Sequence, residues 1–293
     1  MKEKFQNPQT VIRWLFAGFT VICLLAAVLV SDCGGMLDGL VRICTQSGQT
    51  VKSYFDPSYG GFSGTFLNVA LVCAVCLGLY CLPGISTRYR DREASVQAVS
   101  DALAALARAK VGNYLAFFPS YAYLRQVHED FTARYPDIGT LAQESGLDDA
   151  ARAAFLEQFS PSPTKTLLGF GVMGGIFGEG VDLVGDRLIG CAIVGVGLPQ
   201  VNPRQEILRR YYDEAGGTGF DYAYRFPGMN KVLQAAGRVI RTSEDKGVVL
   251  LLDDRFARAE YTRLFPRHWH QLQYLRSTTE LEQQLATFWA LNQ

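Results

Sequence analysis

Apolar residues are distributed along this chain in two different ways, and the change falls near residue 84. Before it, WLFAGFTVICLLAAVLV (residues 14–30) runs for 17 residues without a charge. A second uncharged window extends from Pro57 to Thr87 around TFLNVALVCAVCLGLYCL, residues 65–82. An apolar run of about 20 residues is long enough to cross a bilayer as a helix. The pattern therefore predicts a two-helix transmembrane hairpin within residues 1–84, with spans over about residues 11–31 and 65–82. Lys2, Lys4 and Arg13 flank one end and Arg88, Arg90 and Arg92 follow the other, so the positive-inside rule puts both termini in the cytoplasm.

From residue 85 onward, apolar runs of strand length alternate with longer amphipathic stretches, the pattern of a parallel sheet covered by helices on both faces. ASVQAVSDALAALARAK places Val96, Val99, Leu103 and Leu106 on one helical stripe, and Gly112 punctuates before the strand NYLAFF. A helix through YLRQVHEDFTARY, a short strand near residues 138–143 and a helix DDAARAAFLEQF come next. They are followed by the strands TLLGFGVM and LIGCAIVGVGLP, a helix carrying QAAGRVIR, and the strand GVVLLLDD. Five strands with helical crossovers predict an α/β fold over residues 85–293, a RecA-like αβα three-layer arrangement with a mostly parallel sheet. At the end, STTELEQQLATFWALNQ sets Ser277 and Glu280 in capping-box spacing and Leu281, Leu285, Phe288 and Trp289 on one face. It predicts a closing helix docked on the domain.

Charge narrows the partners less than it does in many chains: 28 Lys+Arg balance 28 Asp+Glu, so a polyanion contact must be local. Six of the seven cysteines precede residue 84, and Cys191 stands alone, which suits a reducing cytoplasm. Cys73 and Cys76 lie inside an apolar run without a second pair at metal-binding spacing, and His268 and His270 have no third ligand, so both pairs read as packing residues. Asp253 and Asp254 read as a loop at a strand end.

Two segments carry chemistry. GGIFGEGVDLVGDRL, residues 174–188, follows a strand with five glycines spaced through it, which lets backbone N–H groups approach a ligand at the carboxyl edge of a sheet. Glu179 and Asp182 sit in that loop, where they can orient a water, a magnesium-bound phosphate or an arginine. In QAAGRVIRTSEDKG, Arg238 and Arg241 stand three apart, so both guanidiniums project from one helical face and call for an anion or open water in front of them.

Taken together, GGIFGEGVDL resembles motif V, and QAAGRVIR motif VI, of superfamily 2 helicases of the DinG-type and XPD-like branch. The resemblance continues through ISTRYRDRE (85–93), GNYLAFFPSYAYL (112–124), GVGLPQ (195–200), residues 220–256 and YTRLFPRHW (261–269), and so covers about residues 85–270. It implies the second RecA-like domain of an ATP-dependent DNA helicase. On that resemblance Arg238 and Arg241 are the arginine fingers that reach the γ-phosphate. Gln234, Gly237, Glu179, Gly180 and Asp182 belong to the ATP site, and Ser120, Tyr121 and Gly175 to the single-stranded DNA path. Guanidinium suits the finger role because its charge is permanent and its donors form a planar fork that matches phosphate.

No G-x-x-x-x-G-K-[ST] loop, DEAH-like segment or four-cysteine iron–sulfur pattern occurs in the sequence. The resemblance therefore implies ATP and Mg²⁺ held mainly by a first RecA-like domain acting in trans, with no iron–sulfur cluster, and no ATP turnover by this chain alone. Residues 11–80 faintly resemble an uncharacterised polytopic bacterial membrane family. Half a helicase behind such a segment suggests a composite reading frame joined near residues 80–85. The alternative is a membrane-tethered module that binds nucleic acid without turnover.

Overall fold

The computed structural model describes residues 77–293, apart from residues 147, 175–182, 184, 240–245 and 293 and the side chains of His268 and His270. The described residues hold seven strands: β1 (Leu77–Cys81), β2 (Asn113–Phe118), β3 (Gly139–Ala142), β4 (Leu167–Val172), β5 (Gly190–Val194), β6 (Gly247–Leu252) and β7 (Gln273–Tyr274). They form one sheet in the order β3-β4-β2-β5-β6-β1-β7. Every neighbouring pair is parallel.

Parallel strands need crossovers that cover the sheet, and strands buried on both faces read as continuous apolar runs. Accordingly NYLAFF in β2 and GVVLLL in β6 are buried at every position. On one face Tyr114, Ala116, Phe118, Val248, Leu250 and Leu252 pack under α1 (Arg92–Arg108), α2 (Tyr121–Arg134) and the closing helix α6 (Thr278–Leu291). Leu115, Phe117, Val249 and Leu251 point the other way, towards α3 (Asp149–Glu157) and α5 (Phe226–Ala236). The result is the expected α/β, RecA-like three-layer domain, with all five anticipated strands in place. Between β5 and α5 lies α4 (Pro203–Glu214), which buries none of its residues.

The closing helix forms as its spacing suggests: the Ser277 hydroxyl accepts from the Glu280 N–H at 3.1 Å, and the Glu280 carboxylate accepts from the Arg276 N–H at 2.8 Å. Leu281, Leu285, Phe288 and Trp289 all enter the core.

The second expected membrane span is corrected at its carboxyl end. Residues 77–81 are β1, bonded in register to β6 from Leu77 opposite Gly247 to Cys81 opposite Leu251, and to β7 on its other side. A strand buried on both faces and a membrane helix share one sequence property, the lack of charge, and length alone separates them. Here the strand lengthened the run until it passed for a span. The join expected near residues 80–85 accordingly falls inside one continuous hydrogen-bonded unit. Among the described residues no helix is long and apolar enough to cross a membrane; the first span and residues 65–76 lie outside them.

Candidate functional site

The sheet order determines where a ligand fits. From β2 the chain moves outward to β3, whereas from β5 it moves the opposite way to β6, so the neighbours β2 and β5 flank a topological switch point. Open α/β sheets bind ligands in the crevice outside the carboxyl ends of strands at such a point. A groove of about 590 Å³ lies there. Its walls are Thr87–Tyr89 and Arg92 beyond β1, Pro119, Ser120 and Ala122 after β2, Gly195–Val201 after β5, and Arg255 after β6.

The floor is a charge network anchored by Asp253. This carboxylate is fully buried and accepts from the Thr87 N–H at 3.2 Å and from the Thr87 hydroxyl. It also grips Arg255 in a fork, Nε to Oδ1 at 2.6 Å and a terminal nitrogen to Oδ2 at 2.9 Å. Burial would raise the Asp253 carboxyl, but the Arg255 and Thr87 bonds outweigh it and hold the group below its ordinary value. Burial likewise pulls Arg255 down while Asp253 pushes it up, and the net direction is up. Asp254 beside it pairs with Arg88 at 3.0 Å and with Arg258 at 2.6 Å. The turn after β5 makes room for this network: Gly195 has φ +86°, and a Cβ there would lie 2.6 Å from the Thr87 hydroxyl.

Ser120 has two partners. As the N-cap of α2 its oxygen accepts from the Tyr123 N–H at 3.4 Å, and it also accepts from Arg92 at 3.3 Å. Arg92 donates in addition to the Thr87 carbonyl at 3.3 Å, and burial lowers its guanidinium from the ordinary value. Tyr121 turns elsewhere: its hydroxyl accepts from Gln143 at 2.9 Å, and it does not line the groove.

Gln234, Gly237 and Arg238 do not line the groove. α5 starts beside the groove, where a Cβ on Gly228 would meet the Val196 carbonyl at 2.6 Å. It ends near the first residue of β6, where Val239 would crowd a Cβ on Gly247 at 2.2 Å. Eleven helical residues span about 16 Å. Gln234 and Gly237 are exposed there; the helix ends at Ala236, so Arg238 stands half-buried in the turn beyond it and not on the helical face that its spacing suggested. The structure thus places Ser120 in the groove wall, while Gln234, Gly237 and Arg238 lie at the carboxyl end of α5, outside that lining. Gly175, Glu179, Gly180, Asp182 and Arg241 lie outside the described residues. The described residues include no phosphate-cradling loop. Nor do three His, Cys, Asp or Glu side chains among them converge on a metal position.

Thr87, Tyr89, Arg92, Asp253 and Arg255 were not singled out as site residues from the sequence. Thr87 and Asp253 stand 166 positions apart, and only the adjacency of β1 and β6 joins them.

The helicase C-terminal domain family model matches residues 103–272. Regulator of telomere elongation helicase 1 of Bos taurus is 29% identical over 198 residues, covering 60% of this chain and 16% of the relative. The 3'-5' exonuclease DinG of Bacillus subtilis is 29% identical over 163 residues, covering 55% and 17%. The XPD helicase subunit of general transcription and DNA repair factor IIH of Schizosaccharomyces pombe is 28% identical over 192 residues, covering 57% and 22%. The chain thus spans between 16% and 22% of the length of these curated relatives. A solved structure designated XPD_APO superposes with a TM-score of 0.55 at 20% identity, over 68% of this chain and 40% of the other, which establishes the likeness of fold.

Proposed function

Because the chain belongs to the helicase C-terminal domain family of DinG- and XPD-type helicases, we propose that its α/β domain is the second motor domain of an ATP-dependent DNA helicase. In this reading the strand-end groove holds single-stranded DNA. The observation that supports it most directly is the groove at the switch point, where Ser120 and Arg92 offer a hydroxyl and a cation side by side for a backbone phosphate. Gln234, Gly237, Arg238 and Arg241, with Glu179, Gly180 and Asp182 of the glycine-rich loop, would face ATP and Mg²⁺ bound on a first motor domain. Bound ATP supplies the phosphoryl group whose transfer drives movement along the strand. The part left to this chain is charge: a guanidinium set against the γ-phosphate stabilises the negative charge that develops as the terminal bond breaks. In the same reading Ser120 positions the strand, and Gly175 belongs to the same DNA path.

Fluorescence anisotropy with labelled oligonucleotides and the full chain tests the DNA half of this reading. Binding is expected to be weak and tolerant of base sequence, with log Kd rising linearly with log salt. Absence of binding at low salt, or confinement to one sequence, would overturn it.

A further inference from the structure

The outer lip of the groove carries a side chain that the core does not explain. Tyr89 is 87% exposed although it forms part of the groove wall. An isolated surface tyrosine needs no account, but this one is the end of a stack built outward from the core. At its base Tyr123 is buried and shares a hydrogen bond of 2.7 Å with the Ser95 hydroxyl. Above it, the Arg92 guanidinium carbon lies 5.3 Å from the Tyr123 ring centroid and 5.5 Å from that of Tyr89. Both distances are within the range of cation–π attraction. Arg92 itself is held by the Thr87 carbonyl and the Ser120 hydroxyl. The three side chains thus form a ladder with a fixed foot, and the Tyr89 ring at its top is oriented by Arg92 and otherwise open to solvent.

The charges along the groove favour the same end of it. Arg88 pairs with Asp254 and Arg255 with Asp253, so their charge is largely met by carboxylates. Arg92 makes no ion pair among the described residues; its partners are a carbonyl, a hydroxyl and two aromatic rings. A cation already partly stripped of water, beside a hydroxyl and next to an exposed aromatic face, fits a phosphate and a planar base presented together, which is the repeating unit of a single strand. A duplex would not use the ring, because its bases are already stacked on one another.

We propose that Tyr89 is a base-stacking platform at the mouth of the groove and that Arg92 with Ser120 takes the adjoining phosphate, so that the two fix one nucleotide of single-stranded DNA. This rests on the single-strand reading of the same groove and assigns it a register point. Base identity does not matter to such a platform, since every base has a π face, and the sequence tolerance of the groove follows.

The experiment measures affinity of the full chain for two oligonucleotides of equal length, one with ordinary bases and one abasic throughout, so that phosphate number is constant. Wild type is expected to prefer the base-containing strand by about fivefold or more. Tyr89→Ala should reduce that preference while leaving affinity for the abasic strand unchanged, and Tyr89→Phe and Tyr89→Trp should restore it. Arg92→Gln should weaken binding of both strands and lower the salt slope by about one. A 2-aminopurine probe in the base-containing strand should be quenched on wild type and less so on Tyr89→Ala. If Tyr89→Ala keeps the full preference and quenching, the platform is refuted while the single-strand reading stands. If wild type binds neither strand, the single-strand reading falls and takes the platform with it.

Discussion

Asp253 shows how much of this domain depends on single side chains. It is fully buried, and its charge is tolerated only because Arg255 and Thr87 surround it with donors. Removing one partner of a buried pair leaves the other uncompensated and costs about 3–5 kcal/mol. Asp253→Asn is therefore expected to lower the unfolding free energy by about 3 kcal/mol, read from urea midpoints at neutral pH. The pH dependence has a definite sign. The folded-state carboxyl lies below the unfolded value of about 3.9, so its contribution is fully present above that value and lost as pH falls through the folded one. The difference in stability between wild type and Asp253→Asn should be level from about pH 6 to pH 8 and shrink below about pH 4; a constant difference down to acid unfolding would show that the carboxylate charge contributes nothing. Gly195→Ala tests the same network from the other side. It forces a side chain into a left-handed backbone at φ +86° and towards the Thr87 hydroxyl, which should cost about 1–3 kcal/mol; a wild-type melting temperature would contradict it. From the sequence, Asp253 read as a loop residue, because nothing local signals a partner so far away in the chain.

Elements were legible where their own sequence determines their environment. NYLAFF and GVVLLL are apolar because helices cover both faces of the sheet, and the closing helix carries both its cap and its apolar face in one stretch. β1 was not legible, since LGLYC sits at the end of a longer uncharged run and its partners, β6 and β7, come much later in the chain. β7, with two exposed residues, has no pattern to read. The assignment of β1 has a direct test in Leu79, which is 2% exposed and packs with Val249 and Leu251 in one cluster. Leu79→Ala should destabilise the domain by about 2–5 kcal/mol, the usual loss for a buried leucine. An unchanged denaturant midpoint would remove Leu79 from the core. At the other end of the domain, Ser277→Ala should cost about 1 kcal/mol through the lost N-cap, measurable as a small downward shift in Tm.

Among the described residues, the groove at the carboxyl edge of the sheet is lined without Gln234, Gly237 and Arg238, which stand at the carboxyl end of α5. In the proposed reading, such an arrangement suits a motor half that holds its track in the groove and meets its fuel elsewhere. On this reading ATP turnover needs a partner that brings the phosphate-cradling loop absent from the sequence. The full chain alone is accordingly expected to hydrolyse no ATP. A first motor domain of a DinG-type helicase supplied in trans should restore hydrolysis stimulated by single-stranded DNA, provided the halves dock. Arg241→Ala should then reduce the restored rate by about 10³-fold or more, the loss typical of a missing arginine finger. Arg241→Lys should recover little of it, because an ammonium cannot reproduce the planar fork. Tyr89→Ala should behave differently, raising the DNA concentration needed for half-maximal stimulation while the maximal rate stays near that of the unsubstituted pair. The two variants thus report on the two surfaces separately. Wild-type rescue by Arg241→Ala with its circular dichroism intact would remove that arginine from the phosphate, and loss of the maximal rate in Tyr89→Ala would show that groove and nucleotide surface are not separable.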